Sequence, residues 1–267
     1  MAKSKYEYVK LFEQHDVCLP NTFMVIRIDG KGFSKFTTEH KYEKPNDVNG
    51  LNLMNNAAIA VMTEFKDIFL AYGQSDEFSF VFKKEADVYK RRKEKIVSTV
   101  VSIFTARYIF DFEKVMGREL KYLPAFDCRM VLFPDLKSLR DCFSWRQVDC
   151  HINNLYNTCF WSLVQKGKKT NKQAENILRD TVSEEKHDLL FNSFGINYNN
   201  EQAIYRKGSL LRRDEVVDEE KMKKYEEKLK EGNCKVSKPR AKKQIVVLHE
   251  DLIKEEFWKK SFPFLYS

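Results

Sequence analysis

The chain has 267 residues, of which 43% are hydrophobic and 32% charged, and 47 Lys and Arg against 39 Asp and Glu give a net charge of +8. This composition excludes a disordered chain, and no apolar run is long enough to span a membrane. The positive balance favours a polyanionic partner such as nucleic acid, because phosphate contacts release condensed counterions.

The first elements in chain order are a strand and a helix. Apolar and β-branched residues predict a buried strand over 23–29, which Gly30 ends. Residues 31–36 are predicted as a loop. A capping signal at Pro45–Asp47 then starts an amphipathic helix, whose apolar residues recur at three- and four-residue steps up to Phe65.

A hairpin, a helix and a fourth strand follow. Strands are predicted over 68–72 and 77–82, joined by a turn at 73–76. A long helix is predicted over 88–110 and a strand over 126–133. The order β-α-β-β-α-β predicts an α+β fold with a split βαβ sheet, in which we expect the first strand to lie beside the strand after the crossover helix.

The second half of the chain is predicted to be mostly helical and to pack against the first. We divide the chain into an N-terminal portion, 1–135, and a helical C-terminal portion, 136–267. In the second portion we expect helices at 136–166, 171–179 and 183–192, a strand at 204–212, an exposed and mobile charged excursion at 214–243, a strand after Gln244 and a helix ending near Trp258.

Three carboxylates fall at the ends of predicted neighbouring strands. Asp29 closes the first strand, and Asp76 and Glu77 open the return strand of the hairpin. Each motif alone is ordinary turn chemistry. Together they favour a site for Mg²⁺, because two aspartates held close together repel unless a cation lies between them, and hard oxygen ligands suit magnesium.

Other polar segments are weaker signals of nucleotide contact. The turn Gly30–Gly32 can aim amides at a triphosphate, although it lacks Walker A spacing. Lys44–Asp47 offers a cation at a helix start, where a plain helix cap is the alternative. Arg92 and Lys95 are three residues apart, so a helix would place them on one face, where they suit a triphosphate or an RNA 5′ end.

Amides and aromatic residues cluster in two further segments. Residues 151–157 read HINNLYN and residues 196–200 read INYNN. Amides are costly to bury without partners, so the clusters indicate either a buried hydrogen-bond network or recognition of unpaired bases.

Five segments in order carry a resemblance to a known family. They are RIDGKGFSKF at 27–36, KPND at 44–47, YGQSDEFSFVF at 72–82, SWRQVDCHINNLYNT at 144–158 and INYNN at 196–200. Together they resemble the eukaryotic tRNA-His guanylyltransferases, over about residues 5–212. The resemblance implies a palm-like catalytic domain similar to that of polymerases and nucleotide cyclases, and a homotetramer built as a dimer of dimers.

The family's reaction adds one guanylate to the 5′ end of tRNA-His in the 3′–5′ direction. The resemblance implies that ATP adenylylates the tRNA 5′-monophosphate, that the GTP 3′-hydroxyl displaces AMP, and that pyrophosphate is then removed. ATP and GTP are the implied substrates, and two Mg²⁺ ions are the implied cofactors.

Family roles transfer to matching positions of this chain. Asp29, Asp76 and Glu77 are implied to be catalytic, with Asp29, Asp76 and the Gly30 carbonyl as metal ligands. Nucleotide contacts are implied for Asp29, Gly30, Lys31, Gly32, Phe33, Ser34, Lys44, Asn46, Asp47, Ser75 and Asp76. Phosphate or tRNA contacts are implied for Arg27, Arg92, Lys95, His151, Asn154, Asn157 and Lys186. Ser34 stands where the family often has histidine, so stacking on a base would be lost there.

Three other functions are compatible with parts of the sequence. A template-directed 3′–5′ polymerase for tRNA 5′-end repair would use the same site. A nucleotide cyclase would need no RNA, which the basic surface and HINNLYN disfavour, and the intact carboxylates argue against a non-catalytic tRNA-binding module. No CxxC pair and no signal-like segment occur, so we expect reduced thiols, no membrane partner, and a cytoplasmic or nuclear location.

Overall fold

A computed structural model describes residues 4–13, 16–217, 222, 223, 225, 227 and 241–266. Within these residues one antiparallel sheet has the strand order β4-β1-β3-β2-β5-β6. The strands are β1 Phe23–Gly30, β2 Ile68–Gln74, β3 Glu77–Phe82, β4 Phe126–Phe133, β5 Ser209–Val216 and β6 Lys242–Leu248. Helices and an antiparallel sheet together confirm the α+β class.

The first four strands have the split βαβ order, with one correction. The strand beside β1 is β3, the return strand of the hairpin, and not β2, which follows the crossover helix. The crossover leaves a gap between β1 and β2, and the tight hairpin turns β3 back into that gap. The acidic residues of the hairpin therefore pair directly with the end of β1.

Helices cover both faces of the sheet. They are α1 Phe33–Glu39, α2 Val48–Glu64, α3 Lys93–Met116, α4 Leu136–Gln165, α5 Asn171–Leu178, α6 Ser183–Phe194, α7 Ala203–Lys207 and α8 Glu255–Ser261. Met24, Ile26 and Ile28 of β1 pack in the core with α1, α2 and α3. Phe23 and Val25 pack in a second cluster with α4 and α8. This alternation follows from the period of two in a strand.

A third apolar cluster lies beyond the sheet. The outer half of α4 packs there against α5 and α6, with Leu155, Leu190 and Tyr198 buried. None of the helices in the described part of the chain combines the length and apolar character that crossing a bilayer requires.

The predicted loop at 31–36 is wrong in part, because α1 starts at Phe33. Phe33 and Phe36 are both buried and their rings stack at 4.9 Å, so burial of one face stabilises this short helix. Gly32 precedes it with φ of 64°, a left-handed conformation that glycine adopts without a Cβ penalty.

The start of the predicted helix over 88–110 is also wrong. A 3₁₀ segment occupies Val88–Arg91, where Tyr89, Lys90 and Arg91 all have positive φ, and α3 begins only at Lys93. The cause is the burial of Arg91, whose guanidinium must turn inward to reach main-chain carbonyls. The segment 90–92 therefore lies outside the helix.

Arg91 ties three chain segments together. Its guanidinium donates to the carbonyls of Cys18 at 3.3 Å, Leu19 at 2.7 Å, Thr22 at 3.1 Å and Ala86 at 2.9 Å. Only 8% of the residue is exposed. These bonds hold the segment before β1 against the connection that leads into α3.

We expect Arg91→Met to lower the free energy of unfolding by about 3 kcal/mol, because it leaves several buried carbonyls without a donor. Urea denaturation checks this. The exposed neighbour Lys90 is the control, and Lys90→Ala should change stability by less than about 0.5 kcal/mol. Equal effects of the two substitutions would contradict the structural role of Arg91.

Two predictions for the C-terminal portion need correction. The segment predicted as a strand over 204–212 begins as α7, and β5 starts at Ser209, because Gly208 with φ of 74° breaks the chain direction between them. Residues 214–216 and 242–243, predicted as part of a mobile excursion, lie in the paired strands β5 and β6. Most of the rest of that excursion lies outside the described residues.

Candidate active site

The three predicted carboxylates meet at one end of the sheet. Asp29 of β1 is the register partner of Glu77 on β3 and of Asp127 on β4. Register partners in antiparallel strands point to the same face. The side chains of Asp29, Glu77 and Asp127 therefore lie on the face of the sheet that α4 covers in part. Asp76 immediately precedes β3, and its carbonyl accepts a hydrogen bond from the Gly30 amide at 3.1 Å.

The carboxylates at this end differ in their ion pairs. Arg146 of α4 contacts both Glu77 oxygens at 3.1 and 3.2 Å, and Arg129 contacts Asp127 at 2.9 Å. Asp29 and Asp76 have no ion-pair partner among the described residues. Two neighbouring negative charges are thus left uncompensated, which is the arrangement that a bound cation requires.

Glu77 is held in place from two sides. Arg146 and Glu77 are largely buried, with 11% and 15% of their side chains exposed. Gln74 donates to Glu77 Oε1 and to Asp149 Oδ2, both at 3.4 Å. We missed Arg146 and Gln74 as site residues in the sequence, because the Arg146–Glu77 pair joins positions 69 residues apart and no local pattern marks it.

The Asp76 carboxylate lies against the main chain of Gly30. A Cβ added at Gly30 would come within 2.9 Å of Asp76 Oδ2 and 2.5 Å of the Phe33 ring. Glycine is therefore required here for the hairpin and the β1 end to approach each other. The approach brings Asp76, the Gly30 main chain and the end of β1 into one corner of the sheet.

Burial raises the pKa of Asp76, and the neighbouring charges of Asp29 and Glu77 add to the increase, against the effect of hydrogen bonds from its own backbone and Ser75. A cation would relieve this cost. In the described residues no three His, Cys, Asp or Glu side chains form a metal-binding group. A cation here would depend on Asp29, Asp76 and a main-chain oxygen, which is a hard oxygen set that suits a magnesium ion sharing its shell with phosphates.

We expect Asp76→Asn to stabilise the protein at pH 7 in EDTA. Because the pKa of Asp76 is raised in the folded state, the wild type loses stability as pH rises from the usual value of 3.8 through the folded value. The thermal midpoint of the variant should exceed that of the wild type at pH 7, and the difference should shrink as the pH falls toward 3.8. Added divalent cation should stabilise only the wild type. A variant less stable than the wild type at pH 7 would contradict this.

Several predicted nucleotide-binding residues lie around this corner. Lys31, Gly32 and Ser34 are exposed, while Phe33 is buried and can contribute only its backbone. The amides of Gly30 and Lys31 already donate to the carbonyls of Asp76 and Ala125. Ser75 is exposed at the hairpin tip, with φ of 51°.

The Lys44–Asp47 segment adjoins α1. Lys44 Nζ donates to Thr37 Oγ1 at 3.2 Å, and burial lowers the pKa of Lys44. Asp47 caps α2, since one carboxylate oxygen accepts from the Gly50 amide and the other from the Glu43 amide, both at 3.0 Å. Asn46 is half-buried beside them. The structure gives Asp47 a capping role, and its contact with a nucleotide stays a prediction.

Arg92 and Lys95 are not brought to the carboxylates. Both contact Tyr89, with Arg92 Nε donating to its carbonyl at 3.4 Å and Lys95 Nζ lying 4.6 Å from its ring centroid. They follow the far end of β3, and six strand residues separate that end from Glu77 by about 17 Å. Arg27, in contrast, precedes Asp29 by two residues on the same face of β1.

The predicted tRNA-contact residues of α4 lie farther out along that helix. Asn154 is buried and donates to the Tyr198 hydroxyl at 2.9 Å, which assigns it to a core hydrogen bond. Burial lowers the pKa of His151, whose ring lies 5.5 Å from that of Tyr198. Asn157 is exposed.

Lys186 lies beyond them. The Lys186 carbonyl accepts from Cys159 of α4, whose position is 13 residues and about 20 Å along the helix from Arg146. Its Nζ donates to the Thr181 carbonyl at 2.6 Å. In this chain, therefore, Lys186 is separated from the carboxylate corner.

The carboxylate corner combines two aspartates without ion-pair partners among the described residues, a glycine turn and nearby cations. This combination is typical of enzymes that bind nucleoside phosphates. Comparison with known proteins gives the class as nucleotidyltransferase. Residues 6–134 match the family model described as tRNAHis guanylyltransferase, and residues 137–254 match the Thg1 C terminal domain. The chain belongs to the tRNA-His guanylyltransferase family.

Individual relatives match over nearly the whole chain. The tRNA(His) guanylyltransferase of Schizosaccharomyces pombe is 54% identical over 99% of this chain and 98% of its own. A crystal structure of the Saccharomyces cerevisiae enzyme has a TM-score of 0.75 and 45% identity, covering 78% of this chain and 93% of that one. A bacterial tRNA(His) guanylyltransferase-like protein in complex with ATP, 19% identical, shares the fold with a TM-score of 0.72 over 99% of this chain and 100% of that one.

Proposed function

We propose that this protein adds a guanylate to the 5′ end of tRNA-His by 3′–5′ nucleotidyl transfer. The observation that carries the proposal is the uncompensated Asp29–Asp76 pair beside the Gly30 turn, in a chain 54% identical to a named tRNA(His) guanylyltransferase along its length. The names of the relatives indicate the substrate, and the carboxylates of the corner indicate a metal-dependent transfer of phosphate groups.

Asp29, Asp76 and the Gly30 carbonyl would hold magnesium, with two ions as the family resemblance implies. When bound, magnesium neutralises phosphate charge and lowers the pKa of an attacking hydroxyl. Glu77 acts differently from the two aspartates in this proposal. Because Arg146 already neutralises it, Glu77 fixes α4 against the hairpin rather than binding the ion directly.

The reaction has three steps. A 5′-phosphate oxygen of the tRNA attacks the α-phosphorus of ATP, and pyrophosphate leaves to give a 5′-adenylylated tRNA. The 3′-hydroxyl of GTP then attacks the tRNA 5′-phosphorus, loses its proton and displaces AMP, which forms the new phosphodiester bond. Water finally attacks the α-phosphorus of the new 5′-triphosphate, and pyrophosphate leaves.

The chain's own groups orient the phosphates in these steps. Since the Gly30 and Lys31 amides bond to Asp76 and Ala125, phosphate contacts from the turn fall on the amides of Gly32, Phe33 and Ser34. Lys44 stands beside α1 as a half-buried cation that can neutralise a phosphate oxygen. Arg27, on the Asp29 face of β1, would hold the tRNA 5′-phosphate.

The remaining parts of the proposal rest on the family. We propose that β1, β3 and their neighbours form a palm of the polymerase and cyclase type, that the protein is a homotetramer, and that it acts in the cytoplasm or nucleus. Exposed apolar side chains support self-association: Leu11 and Phe12 are 85% and 78% exposed, and Phe110 is 78% exposed.

Transfer of label from α-labelled GTP to 5′-monophosphorylated tRNA-His, with ATP and Mg²⁺, tests the function. A matched tRNA with another anticodon and a 5′-truncated tRNA run beside it. A single added guanylate on tRNA-His alone is the expected result. Label on the mismatched and truncated tRNAs would establish a repair polymerase instead, and tight tRNA binding without label would establish a binding module.

A further inference from the structure

An exposed tryptophan stands next to the carboxylate corner. Trp145 of α4 is 61% exposed, whereas Trp258 is fully buried. The Arg146 guanidinium carbon lies 4.4 Å from the centroid of the Trp145 ring, and the same guanidinium binds Glu77. One face of the indole is thus fixed on a buried arginine, and the exposed remainder is open to a ligand. Large aromatic rings held in this way suit stacking with a planar partner.

Arg27, which has no carboxylate partner among the described residues, lies on the face of β1 that α4 covers in part. Arg27 forms no ion pair among the described residues, and its buried Nε has no hydrogen-bond partner there. Burial raises the pKa of the Cys142 thiol, one helical turn before Arg146, and the charges of Arg146 and Arg27 both act to lower that pKa. Both guanidinium groups therefore lie near the same part of α4. Arg27 also lies two strand residues, about 7 Å, from Asp29 on the same face.

These groups match the parts of a nucleotide. Trp145 offers a flat surface for a base, Arg27 offers a charge for its phosphate, and Asp29 stands next to the phosphorus that would react. Base stacking on an aromatic ring tolerates any base identity. A protein partner would use the apolar ring but would give no reason for an arginine on the α4-facing side of β1 that has no ion pair among the described residues.

We propose that Trp145 is the stacking platform for the base of the RNA 5′-terminal nucleotide, with Arg27 holding the phosphate of that nucleotide. This inference rests on the proposed function for the identity of the RNA. It adds a base-binding site on α4 to that function and explains why Arg146 is buried: the arginine fixes the platform to Glu77.

Equilibrium binding of 5′-monophosphorylated tRNA-His, compared with the same RNA carrying an abasic 5′-terminal residue, tests the platform. The wild type should bind the abasic RNA roughly tenfold more weakly. Trp145→Leu should bind intact RNA roughly tenfold more weakly than the wild type and should not distinguish the two RNAs. Trp145→Phe, which keeps a ring, should recover most of the discrimination.

Ile152→Ala is the matched control, since Ile152 is exposed on the same side of α4 and carries no ring. It should leave the discrimination unchanged. Equal binding of the two RNAs by the wild type would overturn the proposal. The proposal would also be overturned if sedimentation showed that Trp145→Leu changes the oligomeric state, because Trp145 would then contact a second copy of the chain. Binding is measured without turnover, so a failure of guanylate transfer would not affect this result.

Discussion

Asp76→Asn is expected to lower the rate of guanylate transfer by roughly a thousandfold or more, because it removes charge that organises the reacting phosphates. Affinity for tRNA-His should change by less than about threefold, since the side chain is not an RNA contact. Single-turnover transfer from labelled GTP measures the first quantity and filter binding the second. Asp29→Asn should behave in the same way.

Asp127→Asn is the control for this prediction. Asp127 is the register partner of Asp29 on β4, but it is exposed and paired with Arg129. Its removal should leave transfer within about threefold of the wild type. Similar effects of Asp127→Asn and Asp76→Asn on transfer would contradict this prediction. The transfer rate would then depend on the total negative charge at this end of the sheet and not on the Asp29–Asp76 pair.

Arg146→Met is expected to lower the free energy of unfolding by about 3–5 kcal/mol, because it leaves the largely buried Glu77 without its partner. Transfer should fall as well, since the hairpin that bears Asp76 loses its ion pair with α4, although the Gln74–Asp149 hydrogen bond remains. A second variant that also carries Glu77→Gln should recover at least half of the lost stability, because the unpaired charge is then gone. Urea denaturation measures both.

Arg140→Met provides the comparison on the same helix. Arg140 pairs with Glu255 at 3.5 Å, and the Glu255 side chain is 49% exposed. Solvent screens such a pair, so the substitution should cost about 1 kcal/mol or less. Failure of the double variant to recover stability would show that Arg146 contributes by packing alone, with no role for the Glu77 charge.

Local pattern was enough to predict the first four strands, the hairpin and the acidic residues at their ends. Short apolar runs mark β1, β3 and β4, and burial alternates along β4. The capping signal at Asp47 marks the start of α2. The approach of Asp29 and Asp76 was also predicted, but from the wrong strand neighbour, because β3 and not β2 lies beside β1.

The errors arose where distant contacts override local preference. A helix was predicted from residue 88 onward, but Arg91 is buried and donates to carbonyls around Cys18 and Thr22, which no local pattern shows. Likewise, α1 forms because Phe33 and Phe36 are buried in the hydrophobic core. The Arg146–Glu77 pair was missed for the same reason, since its partners lie on elements that meet only in the folded sheet.

The pairing of β2 with β5 has a consequence for the newly made chain. Gly73 pairs with Ser209, which is synthesised 136 residues later. Until then the apolar strand Ile68–Gln74 is an open edge, and such edges recruit other chains. Pairing across so long a separation also slows folding. A fragment that ends at residue 135 is therefore expected to aggregate, and the full-length chain to depend on chaperones that shield this edge until its last strands emerge from the ribosome.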